Sequence, residues 1–304
     1  MQVKIISVSL AVERGRKYPV EKIELNKSGV VGDVHANTSR AVSMIDQSHI
    51  DNFKKITSSR TTETGEFAEN LRVKGLADTK VKAFDRFVGD QVILEVSQVG
   101  KPFHSSFREI GHYVMPRVGI FMRTLEGGTL QAGDILNYVP KKFKAKVITL
   151  SDRASKGIYE DKSGALITEK LGAYFEKIGW DLSIDKQIIP DHREDLKAQI
   201  EDATKNNFDL IFTTGGTGIG SRDITLSVIK PLLDHEIPGI MEHIRLKYGS
   251  LKPNALLSGG VSGTIGSAII YTLPGSAKAV TEYMQEILNT LEHLIYMKAD
   301  MDVH

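Results

Sequence analysis

The chain of 304 residues contains no cysteine. This absence excludes disulfide bonds, thiolate metal ligands, iron–sulfur ligation and cysteine nucleophiles. It also fits a reducing compartment, and we expect a cytoplasmic protein. The chain also lacks a large excess of positive or negative charge, because it has 39 lysines and arginines and 38 aspartates and glutamates. Such a balance supplies no field that attracts nucleic acid or a membrane surface, so we expect neither partner, and any phosphate must be bound by local donors.

Long apolar runs are also missing. No stretch approaches 18 consecutive apolar residues, so the sequence predicts no transmembrane helix. The apolar run 5–12 is followed by Glu13 and Arg14 without a clear cleavage site, which favours a first β-strand over a signal peptide. At roughly 150 residues per domain, the length predicts about two domains.

The first 140 residues are rich in short strand-like segments. Residues 3–11, 91–99 and 135–139 have the composition of strands, and only residues 47–56 are typical of a helix. Many short strands with few helices predict an all-β barrel or sandwich. The basic segment 140–144 is interpreted as a solvated linker.

Beyond this segment, strand and helix patterns alternate. Predicted strands span 146–150, 183–189, 209–213 and 269–273, and predicted helices span 164–178, 194–206, 222–233 and 277–298. The alternation predicts an α/β three-layer sandwich with a mostly parallel sheet between helices. We therefore expect two domains, residues 1–142 and 143–304.

Polar or glycine-rich loops follow three of these strands, at 151–153, 213–218 and 274–276. Parallel strands would bring the loops to one sheet edge, where ligands bind in such folds. The glycines of TTGGTG allow backbone N–H groups to approach an anion, although a simple tight turn is the alternative. No lysine follows these glycines, which excludes a Walker nucleotide site.

Two carboxylates flank the glycine-rich loop. Asp191 follows the second predicted strand of this half, and Asp223 lies five residues after Gly218. Carboxylates beside a phosphate repel it unless a hard cation such as Mg²⁺ lies between them. The alternative is that Asp223 is a simple helix N-cap and that Asp191 is a turn or N-cap residue. Asp152 and Asp161 either join this group or form salt bridges with neighbouring cations.

Six ordered blocks span residues 149–280: TLSDRASKGIYEDKSG, IIPD, TTGGTGIGSRDIT, PGIMEHIR, LLSGG and LPGSAKAV. Together they resemble the MogA/MoaB family of molybdenum-cofactor biosynthesis. The resemblance implies a molybdopterin adenylyltransferase, in which the terminal phosphate of molybdopterin attacks the α-phosphate of Mg-ATP and pyrophosphate is released. It implies a homotrimer formed through this domain, and other proteins of the pathway are further candidate partners. It also implies that Asp191 and Asp223 are catalytic and hold Mg²⁺.

The resemblance further implies the residues that bind the two substrates. On the nucleotide side these are Ser151, Asp152, Arg153, Thr214, Gly215, Gly216, Thr217 and Gly218. On the pterin side they are Ser258, Pro274, Gly275 and Ser276. The chain departs from the family in two places. Leu226 and Ser227 replace a common Pro-Glu, and Gly259 replaces a common arginine. We expect these changes to affect substrate affinity more than the chemistry.

The first half contains five further blocks: GVVGDVHANTSRAVSMID, GEFAENLRVKGL, VILEVSQVGKPFH, VMPRVGIFMRTLEGG and GDIL. They resemble a MOSC domain, a β-barrel module associated with the molybdenum cofactor. Related sequences commonly carry cysteines in the segment aligned with 101–116, where this chain has Phe103, Phe107 and Tyr113. Because a phenyl ring neither forms a persulfide nor ligates a metal, cysteine-based sulfur delivery is not available. The resemblance therefore implies a domain that binds pterin or finished cofactor.

Several polar residues of this half could bind a cofactor phosphate, or are surface charges: Asp33, His35, Lys101, His104, Arg108, Arg117 and Arg123. The spacing of His35, His104 and His112 matches no recognised metal-ligand pattern. The main functional hypothesis is the adenylyltransferase. The alternative is a non-catalytic protein that binds or carries molybdopterin or the cofactor, which the departures at Leu226, Ser227 and Gly259 favour.

Overall fold

The computed structural model describes residues 1–57, 63–100 and 114–301. The chain divides into two compact units, Met1–Lys141 and Lys142–His304. Seven residues singled out from the sequence lie outside the described ranges: Lys101, Phe103, His104, Phe107, Arg108, His112 and Tyr113. Within those ranges, no helix combines the length and apolar character needed to cross a bilayer.

The first unit is built mainly from short strands. Its elements are β1 (Gln2–Leu10), β2 (Tyr18–Val20), β3 (Lys22–Asn26), β4 (Gly29–Val30), β5 (Val42–Asp46), α1 (Gln47–Thr57), β6 (Leu71–Lys74), β7 (Arg86–Val88), β8 (Ile93–Val99), α2 (Val114–Val118), β9 (Ile120–Glu126), β10 (Gly128–Gln131) and β11 (Ile135–Val139).

The large sheet of this unit closes into a barrel. Its strands run in the order β11-β7-β8-β9-β5-β6-β1-β2, and β1 also pairs with β11 through Val3 and Leu136. Both of these residues are fully buried, as are Ile5 and Phe87 in the same apolar core. The predicted barrel is confirmed.

The prediction that this unit is all-β is not fully confirmed, because two helices also pack against the barrel. Ile50 of α1 and Met115 of α2 share a small second core with Phe121 of β9. An apolar patch on the outer surface of a barrel needs a cover, and these helices supply it.

The second unit alternates strands and helices. Its elements are β12 (Lys142–Leu150), α3 (Asp152–Ser155), α4 (Lys162–Ile178), β13 (Asp181–Ile189), α5 (Arg193–Lys205), β14 (Leu210–Thr214), α6 (Thr225–Ile229), β15 (His235–Glu236), α7 (Pro238–Gly249), β16 (Ser262–Ile265), β17 (Ala268–Leu273) and α8 (Ala277–Lys298), with 3-10 turns at Lys230–Leu232 and Pro253–Leu257.

The sheet of the second unit is mixed, with strand order β13-β12-β14-β17-β16-β15. The first four strands are parallel, and β16 and β15 run antiparallel to their neighbours. The prediction of a mostly parallel sheet therefore applies to one side only. The reason is the tight turn at Gly266, which has φ +54° and joins Ile265 directly to its partner Ala268. A parallel connection would need a long crossover.

Helices cover both faces of this sheet. Leu196 and Ile200 of α5 share an apolar core with Ile148 and Ile211. On the opposite face, Phe143 packs edge-on against Phe175 of α4, with ring centroids 5.5 Å apart. The predicted layered α/β arrangement is therefore present.

Two predicted boundaries are wrong. Residues 142–144 belong to β12 rather than to a linker, since Lys142 already pairs with Asp181 of β13. The helix predicted over 222–233 begins only at Thr225 and ends at Ile229. The preceding residues instead form a turn, in which the N–H of Asp223 donates to the carbonyl of Gly220 at 3.0 Å.

Candidate active site

The loops that carry the predicted site residues meet at one edge of the second unit's sheet. Because β13, β12, β14 and β17 are adjacent and parallel, their carboxyl ends lie side by side. The N–H of Ser151 donates to the carbonyl of Ile189 at 2.9 Å, and the N–H of Gly215 donates to the carbonyl of Leu273 at 3.0 Å. The hydroxyl of Thr214 also donates to the carbonyl of Pro274 at 2.9 Å.

Asp191 and Asp152 are tied to each other at the ends of β13 and β12. The N–H of Asp152 donates to Oδ2 of Asp191, and the N–H of Asp191 donates to Oδ1 of Asp152. Burial raises the pKa of Asp191, the hydrogen bond from Asp152 opposes this, and the charges of Asp152 and Asp223 add to the rise. Asp191 is not a helix cap, since His192 holds that position in α5. It is a partly buried carboxylate that is influenced by the charges of Asp152, Arg222 and Asp223.

Asp223 packs directly against the glycine-rich loop. Its Oδ2 accepts the N–H of Gly220 at 2.9 Å. A Cβ atom added to Gly218 would lie 2.6 Å from the same oxygen, so the carboxylate packs directly on the loop. The N-cap of α6 is Ile224, and the alternative of a simple cap therefore does not apply to Asp223.

The conformation of the glycine-rich loop depends on two left-handed glycines, Gly215 with φ +101° and Gly216 with φ +61°. A side chain on Gly215 would collide with the carbonyl of Leu150. Thr225 fixes the loop from behind, because its hydroxyl donates to the carbonyl of Gly215 at 2.8 Å and its N–H to that of Gly216 at 3.0 Å. Within the described residues, no acceptor is recorded for the N–H groups of residues 216–218. These groups are therefore available to an anion.

A cavity of about 410 Å³ opens beside this loop. Five predicted residues line it: Thr217, Gly218, Ser258, Pro274 and Ser276. Gly275 lies just behind them, where an added Cβ would meet the Cα of Gly215 at 3.4 Å. The structure thus brings the predicted pterin-side residues to the end of the nucleotide-side loop.

The ten other cavity residues were not predicted from the sequence, and five of them carry titratable side chains: Tyr248, Lys252, Lys278, Glu282 and Tyr283. Lys278 lies within the LPGSAKAV block, close to Ser276 in the sequence, and this position could have identified it as a cavity residue. Tyr248 gave no signal, because α7 was not predicted. Both tyrosines are anchored: Tyr283 donates to Oγ of Ser258 at 2.7 Å, and Tyr248 donates to Glu286 at 3.0 Å. Burial, followed by the bond to Glu286, raises the pKa of Tyr248 to about 12.

Other predicted residues serve local structure. Asp161 caps α4 by accepting the N–H of Gly164 at 2.9 Å, and it also accepts the hydroxyl of Thr149 at 2.7 Å. Ser151 caps α3, and the guanidinium of Arg153 lies 5.3 Å from the ring centroid of Tyr159. Asp161 therefore belongs to the scaffold.

The residues that depart from the family pattern lie next to each other. A Cβ added to Gly259 would lie 2.8 Å from Cδ1 of Leu226, and the N–H of Gly259 donates to the carbonyl of Thr217 at 3.0 Å. Leu226 thus occupies space that a larger residue at 259 would need. Ser227 accepts a hydrogen bond from Arg193 at 2.6 Å.

The donor set suits a metal that is only partly coordinated by protein. Among the described residues, no three His, Asp or Glu side chains converge as a metal cage. Mg²⁺ is commonly held by one or two carboxylates together with substrate phosphates. Asp191 and Asp223 fit that pattern as two carboxylates whose charges act on each other, although Arg222 offsets part of the effect on Asp191, and Oδ1 of Asp191 accepts no donor among the described residues.

The polar residues of the first unit are largely engaged inside it. Asp33 is buried, and its Oδ2 accepts Nζ of the equally buried Lys17 at 2.5 Å. Nδ1 of His35 lies 3.3 Å from Oδ1 of Asp33, and Arg123 pairs with the buried Glu95 at 2.8 Å. Asp33 and Arg123 therefore hold the barrel together, while Arg117 is exposed on α2.

Known protein families match both halves of the chain. A family model described as "Probable molybdopterin binding domain" matches residues 146–293, and one described as "MOSC domain" matches residues 31–137. The molybdopterin adenylyltransferase of Pyrococcus furiosus is 37% identical over 161 residues, which are 51% of this chain and 91% of that protein. The chain belongs to the MogA/MoaB family.

A further MogA/MoaB relative is the molybdenum cofactor biosynthesis protein B of Bacillus cereus, 34% identical over 161 residues, with 52% of this chain and 91% of that protein covered. Among solved structures, the molybdopterin biosynthesis enzyme MoaB of Thermus thermophilus is 32% identical, with a TM-score of 0.47, and 52% of this chain and 97% of that one are covered. This MogA/MoaB protein differs from these relatives in carrying a MOSC domain outside the matched half.

Proposed function

We propose that this protein acts in molybdenum cofactor biosynthesis by adenylylating molybdopterin with Mg-ATP, and that residues 143–304 perform the reaction. The observation that carries the proposal is that Asp191, at the end of β13, and Asp223, which packs against the glycine-rich loop, accompany a loop whose N–H groups lack acceptors among the described residues. Anionic substrates bind where donors and a cation can neutralise them.

The reaction transfers the adenylyl group of ATP to the terminal phosphate of molybdopterin. An oxygen of the molybdopterin phosphate forms a bond to the α-phosphorus of ATP, the bond from that phosphorus to the bridging oxygen breaks, and pyrophosphate leaves. Because the nucleophile is already a dianion, no general base is required. The protein has to position two anions that repel each other and to stabilise the charge of the leaving group.

The residues divide this task between them. The N–H groups of Gly216, Thr217 and Gly218 would donate to a nucleotide phosphate, and Ser151, Asp152 and Arg153 would border the nucleotide. Asp191 and Asp223 would hold Mg²⁺, which neutralises phosphate charge when bound. Ser258, Pro274, Gly275 and Ser276 would border the pterin in the adjoining cavity.

The test is product formation by the purified full chain. With molybdopterin, ATP and Mg²⁺, we expect adenylyl-molybdopterin and pyrophosphate in equal amounts, and we expect neither product when Mg²⁺ is chelated. An established adenylyltransferase serves as the positive control. Failure of this chain beside a working control would refute the proposal.

Leu226 occupies the space that a larger residue at position 259 would need, so the arginine that is common there in the family is replaced by Gly259. This departure favours a second candidate, a carrier that binds molybdopterin or cofactor without turnover. Turnover separates the two candidates, and calorimetry measures the pterin binding that both should show. A carrier binds molybdopterin without Mg-ATP, and Asp223→Ala leaves that binding unchanged while no adenylylated product forms in the parent protein. In the enzyme, Asp223→Ala abolishes turnover and largely spares pterin binding.

We further propose that the barrel binds pterin or finished cofactor, and that the protein is a cytoplasmic homotrimer. Light scattering of the purified chain should then give three times the protomer mass of 33.6 kDa. A monomeric mass would refute the trimer and leave the adenylylation test unaffected.

A further inference from the structure

One side-chain hydrogen bond joins the two chain segments that carry Asp191 and Asp223. Nη1 of Arg193, the first residue of α5, donates to Oγ of Ser227 in α6 at 2.6 Å. Arg193 lies two residues after Asp191, and Ser227 lies four residues after Asp223. The Arg193–Ser227 bridge therefore connects two segments that are far apart in sequence and that each begin next to one of the carboxylates.

The hydroxyl of Ser227 has two partners. It donates its proton to the carbonyl of Ile224 at 2.8 Å, and it accepts the guanidinium of Arg193. Because a hydroxyl has only one proton, the bond to Ile224 leaves its lone pairs for the arginine. Ile224 directly follows Asp223 in the chain. The bridge thus continues, through the serine, to the backbone beside this carboxylate.

An apolar contact between the same helices accompanies the bridge. Leu196 and Ile200 of α5 share a buried core with Ile224 and Ile229 at the two ends of α6. Apolar packing has no preferred direction, whereas a hydrogen bond holds its two atoms within a narrow range of lengths and angles. Among the described residues, the bond from Arg193 is the one recorded hydrogen bond between α5 and α6. It therefore restrains sliding that the apolar contact allows.

Each carboxylate is otherwise fixed only within its own surroundings. Asp191 accepts the N–H of Asp152 at the end of β12, and Asp223 accepts the N–H of Gly220 in its own loop. Neither bond links one carboxylate to the segment of the other. The separation of the two carboxylates therefore depends on how the segments leading into α5 and α6 are held together.

We propose that the Arg193–Ser227 bridge sets the separation of the two carboxylates for a divalent cation, which makes both bridge residues positioning residues. The inference rests on the proposed function only in taking Asp191 and Asp223 as the metal ligands. Mg²⁺ accepts oxygen ligands only within about 2.0–2.1 Å, so a small shift between the two segments weakens the site. The proposal also assigns a role to Ser227, one of the residues that depart from the family pattern.

The direction of the effect distinguishes positioning from simple electrostatics. Arg193 carries a positive charge two residues from Asp191, so its loss in Arg193→Met should strengthen cation binding if charge alone matters. If the bridge positions the carboxylates, the same variant weakens cation binding. Ser227→Ala removes the hydrogen bond without changing any charge, and Ser227→Thr keeps the hydroxyl.

The first test measures Mn²⁺ binding to the full chain, without ATP or molybdopterin, from the relaxation of water protons. Ser227→Ala and Arg193→Met should each weaken the Mn²⁺ affinity about fivefold, because each removes the same charge-assisted bond. The double variant should bind Mn²⁺ no more weakly than the weaker single variant. Ser227→Thr should stay within about twofold of the parent.

Two control variants match these changes. Ser250→Ala removes a hydroxyl that, like that of Ser227, donates to the carbonyl three residues earlier, at 2.7 Å. Lys197→Met removes a positive charge one turn further along α5. Both should keep the Mn²⁺ affinity within about twofold of the parent. Tighter Mn²⁺ binding in Arg193→Met, or unchanged binding in Ser227→Ala, would overturn the proposal. Mn²⁺ binding that Asp223→Ala does not weaken would overturn it as well.

The second test uses the adenylylation assay. Ser227→Ala should raise the Mg²⁺ concentration that gives half the maximal rate about fivefold, while saturating Mg²⁺ restores kcat and the KM for molybdopterin stays within about twofold. A lowered kcat that Mg²⁺ does not restore would overturn the assignment to metal binding. If the chain forms no product at all, the proposed function fails, and the Mn²⁺ titration still decides whether the bridge positions the carboxylates.

Discussion

Asp152 and Asp191 hold each other by reciprocal backbone-to-carboxylate hydrogen bonds of 3.3 and 3.1 Å. The pair joins the ends of β12 and β13, so the position of Asp191 is set by the sheet and not by a flexible loop. Each carboxylate uses one oxygen in this contact. The second oxygen of Asp191, Oδ1, has no hydrogen-bond donor within the described residues, which leaves it available to a cation.

The substitution Asp191→Asn tests the negative charge of this side chain while leaving the side chain in place. The amide oxygen can still accept the N–H of Asp152, so the fold should be retained, but the negative charge is lost. We expect turnover to fall by about 10²-fold or more, with little change in thermal unfolding. Initial rates of pyrophosphate release measure the effect. Glu169→Gln on the exposed side of α4 is the control, and wild-type turnover in Asp191→Asn would contradict the role of this carboxylate.

The strand ends of the second unit could be predicted because apolar runs stop abruptly at polar loops. The run that ends at Thr214 leads directly into Gly215, and α8 begins directly after Ser276, whose hydroxyl accepts the N–H of Ala279. In these places the local sequence contains the whole signal. Asp191 likewise follows directly after an apolar run, whereas the position of Asp223 depends on a turn, in which its carboxylate accepts the N–H of Gly220, that the sequence did not predict.

The cavity wall could not be predicted in this way. Tyr248 faces the cavity because α7 packs on α8 through Glu286, and that contact joins residues 38 apart in sequence. The helix α7 buries only Met241, Ile244 and Gly249, so its apolar periodicity is weak. The antiparallel strand β16 was likewise missed, since SGTI is short and lies against a two-residue turn.

Glu286 should make stability of the second unit depend on pH. Burial alone would raise its pKa, but the bonds from Lys247, Tyr248 and His243 hold the pKa below the ordinary value of 4.5. A carboxylate with a lowered pKa stabilises the fold above its unfolded-state pKa, and this stability is lost as the pH falls through the folded-state value. We expect Glu286→Gln to cost about 1–2 kcal/mol at neutral pH. The difference from the parent should shrink below pH 4.5.

Trp180 is the single tryptophan and lies buried in the second unit, so its fluorescence during denaturation reports on this unit. Glu169→Gln is again the control, with a difference from the parent that should not change with pH. A Glu286→Gln difference that stays constant from neutral pH to well below the ordinary pKa of 4.5 would contradict the stabilisation of this carboxylate by its three donors.

Asp33→Asn tests the buried ion pair of the first unit. Burial alone would raise the pKa of Asp33, but hydrogen bonds from His35 and Lys17 hold it well below its usual range. Removing the charge leaves the ammonium of Lys17 buried without a counter-ion, which should cost about 3–5 kcal/mol. The far-UV circular dichroism transition should shift while the Trp180 transition does not. Glu63→Gln breaks the exposed pair with Arg16 and should change little. Equal losses of stability in Asp33→Asn and Glu63→Gln would contradict a special role for the buried ion pair.

Gly218→Ala tests whether the glycine-rich loop positions Asp223. The added Cβ would lie 2.6 Å from Oδ2 of Asp223, and the carboxylate has to move to relieve the overlap. Gly218 does not have a left-handed φ, so the clash is the main consequence of the change. Since a shift of about 1 Å in a catalytic group can cost about 10²-fold, we expect a loss of that order in pyrophosphate release. Gly172→Ala is the matched control, because its Cβ meets no atom within 4 Å in α4. That variant should keep full activity and gain up to about 1 kcal/mol of stability. If both alanine variants keep full activity, the loop does not hold the carboxylate in place for catalysis.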